Sequence, residues 1–368
     1  MTNEDIKTET GGNRRIILAA GGTGGHIFPA MATALQIREK NPSAQIVWIT
    51  TNRSNEKEIA ERFNIKMLSL NVDGIKRSIS LQPIKAILKL LRTISFMKKY
   101  FAAEKPDVVV AFGGYVCAPV LFAARSKKVP FFIQEQNTVA GAVNRFFAKS
   151  AKKIFLGMPL IKEFNADKNA IVVSGTPVRK IQNYANFDFE KTIDPKRRSI
   201  LICGGSQGAQ SMNKVLIAAV KYLSLKGFQI IWQTGSAGED EIKQEFSTDK
   251  NITVAASLAD LYPYYSIAEF LIGRAGAGTI SEAQIFALPS IFIPLPWSAE
   301  NHQYHNAQYA KSCGWALCVE QENSASQKII EFFDSCEKDK TIYENMKKCA
   351  ALSTANAAEV IAETVLDG

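Results

Sequence analysis

The chain has 368 residues, 46% of them hydrophobic and 21% charged, with a formal net charge of +9. That length exceeds one ordinary core and favours two or three domains. No run of eighteen apolar residues is free of charge, so neither a transmembrane helix nor a signal peptide is predicted, and the charge suits an anionic partner: nucleic acid, a phosphorylated substrate or an anionic membrane surface.

Met1 to Asn13 is polar and reads as a disordered tail. From Ile16 the pattern alternates strand and helix. Strands are predicted at Ile16–Ala20, Gln45–Thr50, Lys66–Leu70, Asp107–Phe112, Pro130–Gln134, Lys153–Leu156 and Ala170–Val173. Helices are predicted from Pro29 to Lys40, at Asn55–Phe63, Leu81–Ala103, Pro119–Ser126 and Val139–Ser150. The polar, irregular stretch up to Arg198 reads as a domain junction. Strands resume at Ser199–Cys203, Phe228–Thr234, Ile252–Ala255, Phe270–Gly273, Ser290–Ile293 and Ala316–Val319, with helices between, and Ser326–Leu366 is helical in pattern. Strand–helix alternation with short connections means a parallel sheet in each half. The six cysteines, with no C-x-x-C pair, read as buried free thiols in a reducing compartment.

Two glycine clusters occupy matching places: Gly21-Gly22-Thr23-Gly24-Gly25-His26 after the first strand, and Gly204-Gly205-Ser206-Gln207-Gly208 after the first strand of the second half. A glycine turn between strand and helix lets backbone N–H groups approach an anion, though it serves equally as a tight packing turn. A histidine at such a helix start faces the cleft of an open sheet, which makes His26 a functional candidate. A third site, Arg274-Ala275-Gly276-Ala277-Gly278-Thr279-Ile280-Ser281-Glu282, reads either as a capping box of Thr279 and Glu282 or as a carboxylate for ribose hydroxyls. No D-x-D stands in the chain, so a leaving diphosphate would depend on N–H groups and helix N-termini. Leu81–Ala103 carries a wide apolar arc, with Lys85, Lys89, Arg92 and Lys99 as a basic stripe. It reads as a core helix with a solvated face, or as a surface docking on anionic lipid.

Together GGTGGH (21–26), FGGYV (112–116), EQN (135–137), G-x-PVR (175–179), GGSQG (204–208), GAGTISE (276–282) and HQYHNA (302–307) resemble the MurG family of bacterial peptidoglycan N-acetylglucosaminyltransferases. The resemblance runs from about residue 15 to the C-terminus; Gln134, Cys117-Ala118 and Thr176 depart from the usual pattern. It implies the GT-B fold, two Rossmann-like parallel-sheet domains facing a cleft, with no cofactor and no essential metal. It implies inverting transfer of GlcNAc from UDP-GlcNAc to the C4 hydroxyl of MurNAc in lipid I, giving lipid II. It also implies peripheral residence on the anionic cytoplasmic face of the inner membrane, and no nucleic-acid partner. The domains would be an acceptor and membrane domain over 14–178, a linker over 179–198, a donor domain over 199–345, and a helix over 346–368 returning to the first domain.

Carried over by position, His26 would be the catalytic base or position the acceptor. Thr23, Gly24, Gly25, Asn137, Arg179, Ser206, Leu258, Ala277, Gly278, Thr279, Glu282 and Gln303 would bind UDP-GlcNAc. Within that set, Arg179 and Ser206 would face the diphosphate, Glu282 the ribose, Leu258 the uracil, and Asn137 and Gln303 the sugar hydroxyls. Gly113, Gly114, Tyr115 and Glu135 would shape the acceptor side. The alternative is another GT-B enzyme that glycosylates a lipid from a UDP-sugar.

Overall fold

A computed structural model describes residues 13–51, 53–72, 82–204, 209–351 and 357–367. The predicted tail and the Ser206 and Gln207 positions lie outside the described residues, as does the side chain of Lys85.

The first half contains β1 (Arg15–Ala20), α1 (Gly24–Lys40), β2 (Gln45–Thr50), α2 (Ser54–Arg62), β3 (Lys66–Ser69), α3 (Gln82–Glu104), β4 (Val108–Gly113), α4 (Cys117–Lys127), β5 (Phe131–Glu135), α5 (Ala142–Phe147), β6 (Lys153–Leu156) and β7 (Ile171–Val173). The second half contains β8 (Ser199–Cys203), α6 (Gln210–Leu225), β9 (Gln229–Gln233), α7 (Glu239–Glu245), β10 (Ile252–Ala255), α8 (Tyr262–Ile267), β11 (Phe270–Gly273), α9 (Ala277–Ile285), β12 (Ser290–Phe292), α10 (His302–Ser312), β13 (Ala316–Cys318), α11 (Ala325–Lys338), α12 (Lys340–Ala351) and α13 (Ala357–Asp367).

Both sheets are parallel throughout, in the orders β3-β2-β1-β4-β5-β6-β7 and β10-β9-β8-β11-β12-β13. The strands are apolar on both faces, as a sheet covered by helices on both sides requires. In β1, Ile17 and Ala19 enter one core while Ile16, Leu18 and Ala20 enter the other. Strand order reverses between β1 and β4 and between β8 and β11. In open α/β sheets a crevice opens at the carboxyl ends of such strands. The first glycine loop, Gly204 and the Arg274 segment stand there.

Two expectations are corrected. Helix α1 begins at Gly24 rather than Pro29, so the glycine loop runs straight into it and the proline lies inside the helix. Proline favours the first helical turn, which misplaced the predicted start. The C-terminal region is three helices rather than one continuous pattern.

Helix α13 packs on α1 and adds Ile361, Ala362 and Val365 to the core of the first sheet. These residues recur at three- and four-residue spacing, one face of a helix. The Arg14 guanidinium caps its last turn by donating to the carbonyls of Val365 and Leu366. Lys40 bridges Glu359 and Glu363 at 2.9 and 2.7 Å. Replacing Ile361 by alanine leaves a cavity in that core. The expected cost is about 2–4 kcal/mol in urea unfolding of the full chain; a loss near zero would show that α13 contributes nothing to the first domain.

Candidate active site

Glycine permits an unusually close backbone approach at the ends of β1 and β4. Gly113 and Gly114 have φ of +119° and +87°, a region costly for residues with a Cβ. A Cβ on Gly113 would stand 2.6 Å from the His26 ring, and one on Gly114 would collide with the Gly21 carbonyl. The two loops therefore interlock, and the imidazole lies against the Gly113 backbone.

His26 is the third residue of α1, whose N-cap, Thr23, is extended and makes no side-chain cap. The first N–H groups of a helix lack intrahelical partners, so Gly24 and Gly25 present donors to the cleft. His26 Nδ1 lies 3.1 Å from the Gly21 carbonyl. Donation there assigns the proton to Nδ1 and leaves the Nε2 lone pair for a substrate proton. Burial lowers the His26 pKa below its usual value; the Gly21 bond and the Glu135 charge oppose that, and His302 on α10 reinforces it. A neutral imidazole at neutral pH is the protonation state a general base requires.

Tyr115, by contrast, is 61% exposed at the rim. Glu135 does not face open acceptor space. It is buried and accepts from Asn137 N, Gly141 N and Asn144 Nδ2 at 3.1, 2.8 and 2.8 Å. Its role in the fold is to organise the loop that carries Asn137.

Across the cleft, α9 starts at Ala277 after an uncapped Gly276. The capping-box reading of Thr279 and Glu282 fails, because Glu282 is the sixth helical residue and reaches no helix N-terminus. Its Oε2 instead accepts from Tyr265 OH at 3.2 Å. Burial pushes the Glu282 pKa up to about 7, against the pull of the Tyr265 hydrogen bond and the Arg179 charge. Ala277, Gly278 and Thr279 form the first turn of this helix.

Arg179 is held by Asp260, Nη1 to Oδ2 at 3.2 Å and Nη2 to Oδ1 at 2.6 Å. Gln303 Oε1 accepts from Leu295 N at 3.0 Å, and Leu258 N donates to Gln233 Oε1 at 3.3 Å. Asn137 Oδ1 accepts from Asn306 Nδ2 at 3.0 Å, while Asn306 Oδ1 takes both Thr138 N and Thr138 Oγ1 at 3.0 Å. Asn306 belongs to α10, so these bonds bring the Asn137 loop and the second half of the chain together. Arg145 and Glu300 form a second, bidentate bridge between the halves at 2.9 and 2.8 Å.

Comparison with known proteins adds a decisive observation. Residues 16–156 match the glycosyltransferase family 28 N-terminal domain, and residues 199–364 its C-terminal domain. A Bacillus subtilis protein is 30% identical over 94% of this chain and 96% of its own length. A relative from Acetivibrio thermocellus is 31% identical over 96% of this chain and 98% of its own. Both are named UDP-N-acetylglucosamine--N-acetylmuramyl-(pentapeptide) pyrophosphoryl-undecaprenol N-acetylglucosamine transferase. The crystal structure of Acinetobacter baumannii MurG superposes with a TM-score of 0.74 at 27% identity, covering 96% of this chain and 100% of that one. The chain belongs to the MurG family.

Within the MurG family's GT-B architecture, some contributors here were invisible in the sequence. Arg274 is 5% exposed and donates to Ile293 O, Pro294 O, Ser211 Oγ and Gln321 Oε1, all neutral; among the described residues its Nε has no partner and no carboxylate bonds it. Burial lowers its pKa to about 10. A buried cation without a carboxylate is costly and marks a place for an anion. Its position at a strand end beside the glycine loops was the available signal. Asn306 was signalled only as part of HQYHNA, and Asp260, Tyr262 and Tyr265 had no signal, because each acts on a residue distant in sequence. Two departures from the family pattern, Gln134 and Thr176, each bury a polar atom, Nε2 and Oγ1, without a partner among the described residues.

Replacing Gly113 by alanine must displace the His26 ring. Transfer is expected to fall about 100-fold, the scale of an ångström-level misplacement of a reacting group. UDP affinity, measured calorimetrically, should stay within twofold or so of wild type, since the second half of the chain is untouched. Activity retained by a folded variant would remove the importance of this contact.

Proposed function

We infer that the protein transfers GlcNAc from UDP-GlcNAc to the C4 hydroxyl of MurNAc in lipid I, forming lipid II. The observation that carries this reading is His26 at the start of α1, its Nδ1 proton committed to the Gly21 carbonyl and its Nε2 left as the basic nitrogen. The full-length relatives named for this transfer supply the substrate class.

His26 Nε2 accepts the proton of the C4 hydroxyl as its oxygen attacks C1 of GlcNAc. The C1–O bond to the diphosphate breaks on the opposite face, so configuration inverts and UDP departs with the electron pair. In this reading Arg179 and the buried Arg274 charge stabilise the diphosphate, together with Ser206 on the second glycine loop. Glu282 takes the ribose hydroxyls. Asn137 and Gln303 face the sugar, with Thr23 to Gly25 at its other side, and Ala277 to Thr279 frame the nucleotide beside Leu258. Gly113, Gly114 and Tyr115 shape the acceptor wall.

A lipid I analogue with a short chain and UDP-GlcNAc should give the disaccharide product, with chelator present or absent. The rate at saturating donor should fall on acidification only below pH 6.5, because the His26 pKa is lowered and its basic form persists down to that lower value. Absence of product from folded protein, or loss of turnover on chelation, would overturn the reading.

The protein also docks peripherally on the anionic cytoplasmic face of the membrane in this reading. Among the described residues no helix is long and apolar enough to cross a membrane. Helix α3 instead exposes Ile87, Leu88, Leu91 and Phe96, beside exposed Arg92, Lys98 and Lys99. Apolar side chains flanked by cations fit an interfacial helix. Reversing the charges of Arg92, Lys98 and Lys99 should weaken binding to anionic vesicles by more than tenfold, at about 1 kcal/mol per basic residue. Activity on a soluble acceptor should persist; unchanged vesicle binding would dismiss α3 as the membrane surface.

A further inference from the structure

Helix α8 lies beneath both charged residues assigned to the donor nucleotide. Tyr262 and Tyr265, three positions apart, are almost fully buried. Their rings stand 6.3 Å apart, and both pack on Phe286, at 5.3 and 5.5 Å. Each tyrosine holds a different charge. Tyr265 OH donates to Glu282 Oε2 at 3.2 Å. The Tyr262 ring lies under the Arg179 guanidinium, 4.1 Å from Cζ, and its hydroxyl accepts from Arg179 N at 3.1 Å. Asp260, whose Oδ1 also accepts from Tyr262 N at 3.1 Å, takes the guanidinium edge.

We propose that Tyr262 and Tyr265 are positioning residues for the donor: one turn of α8 sets Arg179 and Glu282 at a fixed separation before the nucleotide arrives. The proposal rests on the reading above, in which Glu282 takes the ribose and Arg179 the diphosphate.

Packing alone does not account for the hydroxyls. Phenylalanine would fill the same two ring sites, and a buried hydroxyl is costly unless bonded. Each hydroxyl has a partner on the donor-binding set, Arg179 N for Tyr262 and Glu282 for Tyr265, which also meets the Cys203 thiol. Glu282 would otherwise be free to turn among rotamers; Tyr265 engages Oε2, and among the described residues no other group bonds the carboxylate. Arg179 is a long side chain whose disorder would be lost on binding. Stacked on Tyr262 and paired with Asp260, it has already lost it. The groups facing Glu282 are Tyr265 and Tyr262 from α8, Arg179 from the linker and Asp260 from the turn before α8; Cys203 at the end of β8 faces Tyr265. The Tyr265 hydrogen bond favours the ionised carboxylate, the form that accepts two ribose hydroxyls.

The test uses the full chain, with UDP binding measured across neutral pH and steady-state kinetics beside it. Wild-type affinity should rise as pH rises through about 7, as Glu282 ionises. Tyr265→Phe should weaken UDP about three- to tenfold, one lost buried hydrogen bond, and move that midpoint to higher pH. The KM for UDP-GlcNAc should rise while kcat holds, since the contact is remote from the reacting carbon. Glu282→Gln should remove the part of the pH dependence centred near 7, leaving that of UDP's own terminal phosphate, whose second pKa is about 6, and in that background Tyr265→Phe should add nothing. Tyr262→Leu should weaken UDP but leave uridine binding unchanged.

If Glu282→Gln weakens UDP while Tyr265→Phe alters neither affinity nor midpoint, the positioning role falls and the donor reading stands. If Tyr265→Phe costs the same with or without Glu282, its effect is only structural and the proposal is overturned. If Glu282→Gln itself leaves UDP binding intact, the donor reading fails and takes the proposal with it.

Discussion

At the carboxyl ends of β1 and β4 two backbones meet without side chains between them, and the cleft is built around that contact. The β1–β4 register shifts between Ala19 and Ala20, setting Ala20 opposite Gly113. Glycine at 21, 113 and 114 then lets the loops close on each other, and His26 fills the remaining space against Gly113. The same contact directs the Gly21 carbonyl at Nδ1, which decides the tautomer and hence which nitrogen can take a proton. Geometry and protonation state are thus consequences of one steric constraint.

The Glu282 and Arg274 side of the cleft depends on desolvation of charge. Glu282 is driven toward neutrality and Arg274 toward a lower pKa by the same desolvation, and neither meets an opposite charge in direct contact. Such groups cost folding free energy unless a ligand compensates them, and perturbed ionisable groups in a crevice cluster at functional sites. Arg179 and Asp260 show the contrasting arrangement, a pair satisfied before any ligand is present.

The two halves are joined by polar contacts near the chemistry and by an apolar one far from it. Asn306 with Asn137 and Thr138, and Arg145 with Glu300, span the cleft. Glu300 and Asn301 both adopt left-handed backbone, φ +49° and +53°, in the turn that presents this bridge. Helix α13 instead carries the chain end back into the first core, so the first sheet is completed by residues more than 300 positions from β1. Polar inter-domain interfaces permit relative motion where a packed helix does not.

Alternation of apolar runs with helix patterns determined two parallel sheets, and nearly every strand was located within a residue or two, because apolar runs in parallel strands are local signals. The first glycine loop and the place of His26 were legible for the same reason: short motifs at strand ends carry their own geometry. Only tertiary structure decided what touches them. It turned Glu282 from a possible cap into a half-buried carboxylate held by Tyr265, made Glu135 a loop organiser, and left Arg274 a cation with no carboxylate partner among the described residues. These are long-range pairings, and the energy that selects them is desolvation, which depends on what surrounds a side chain and not on its neighbours in sequence.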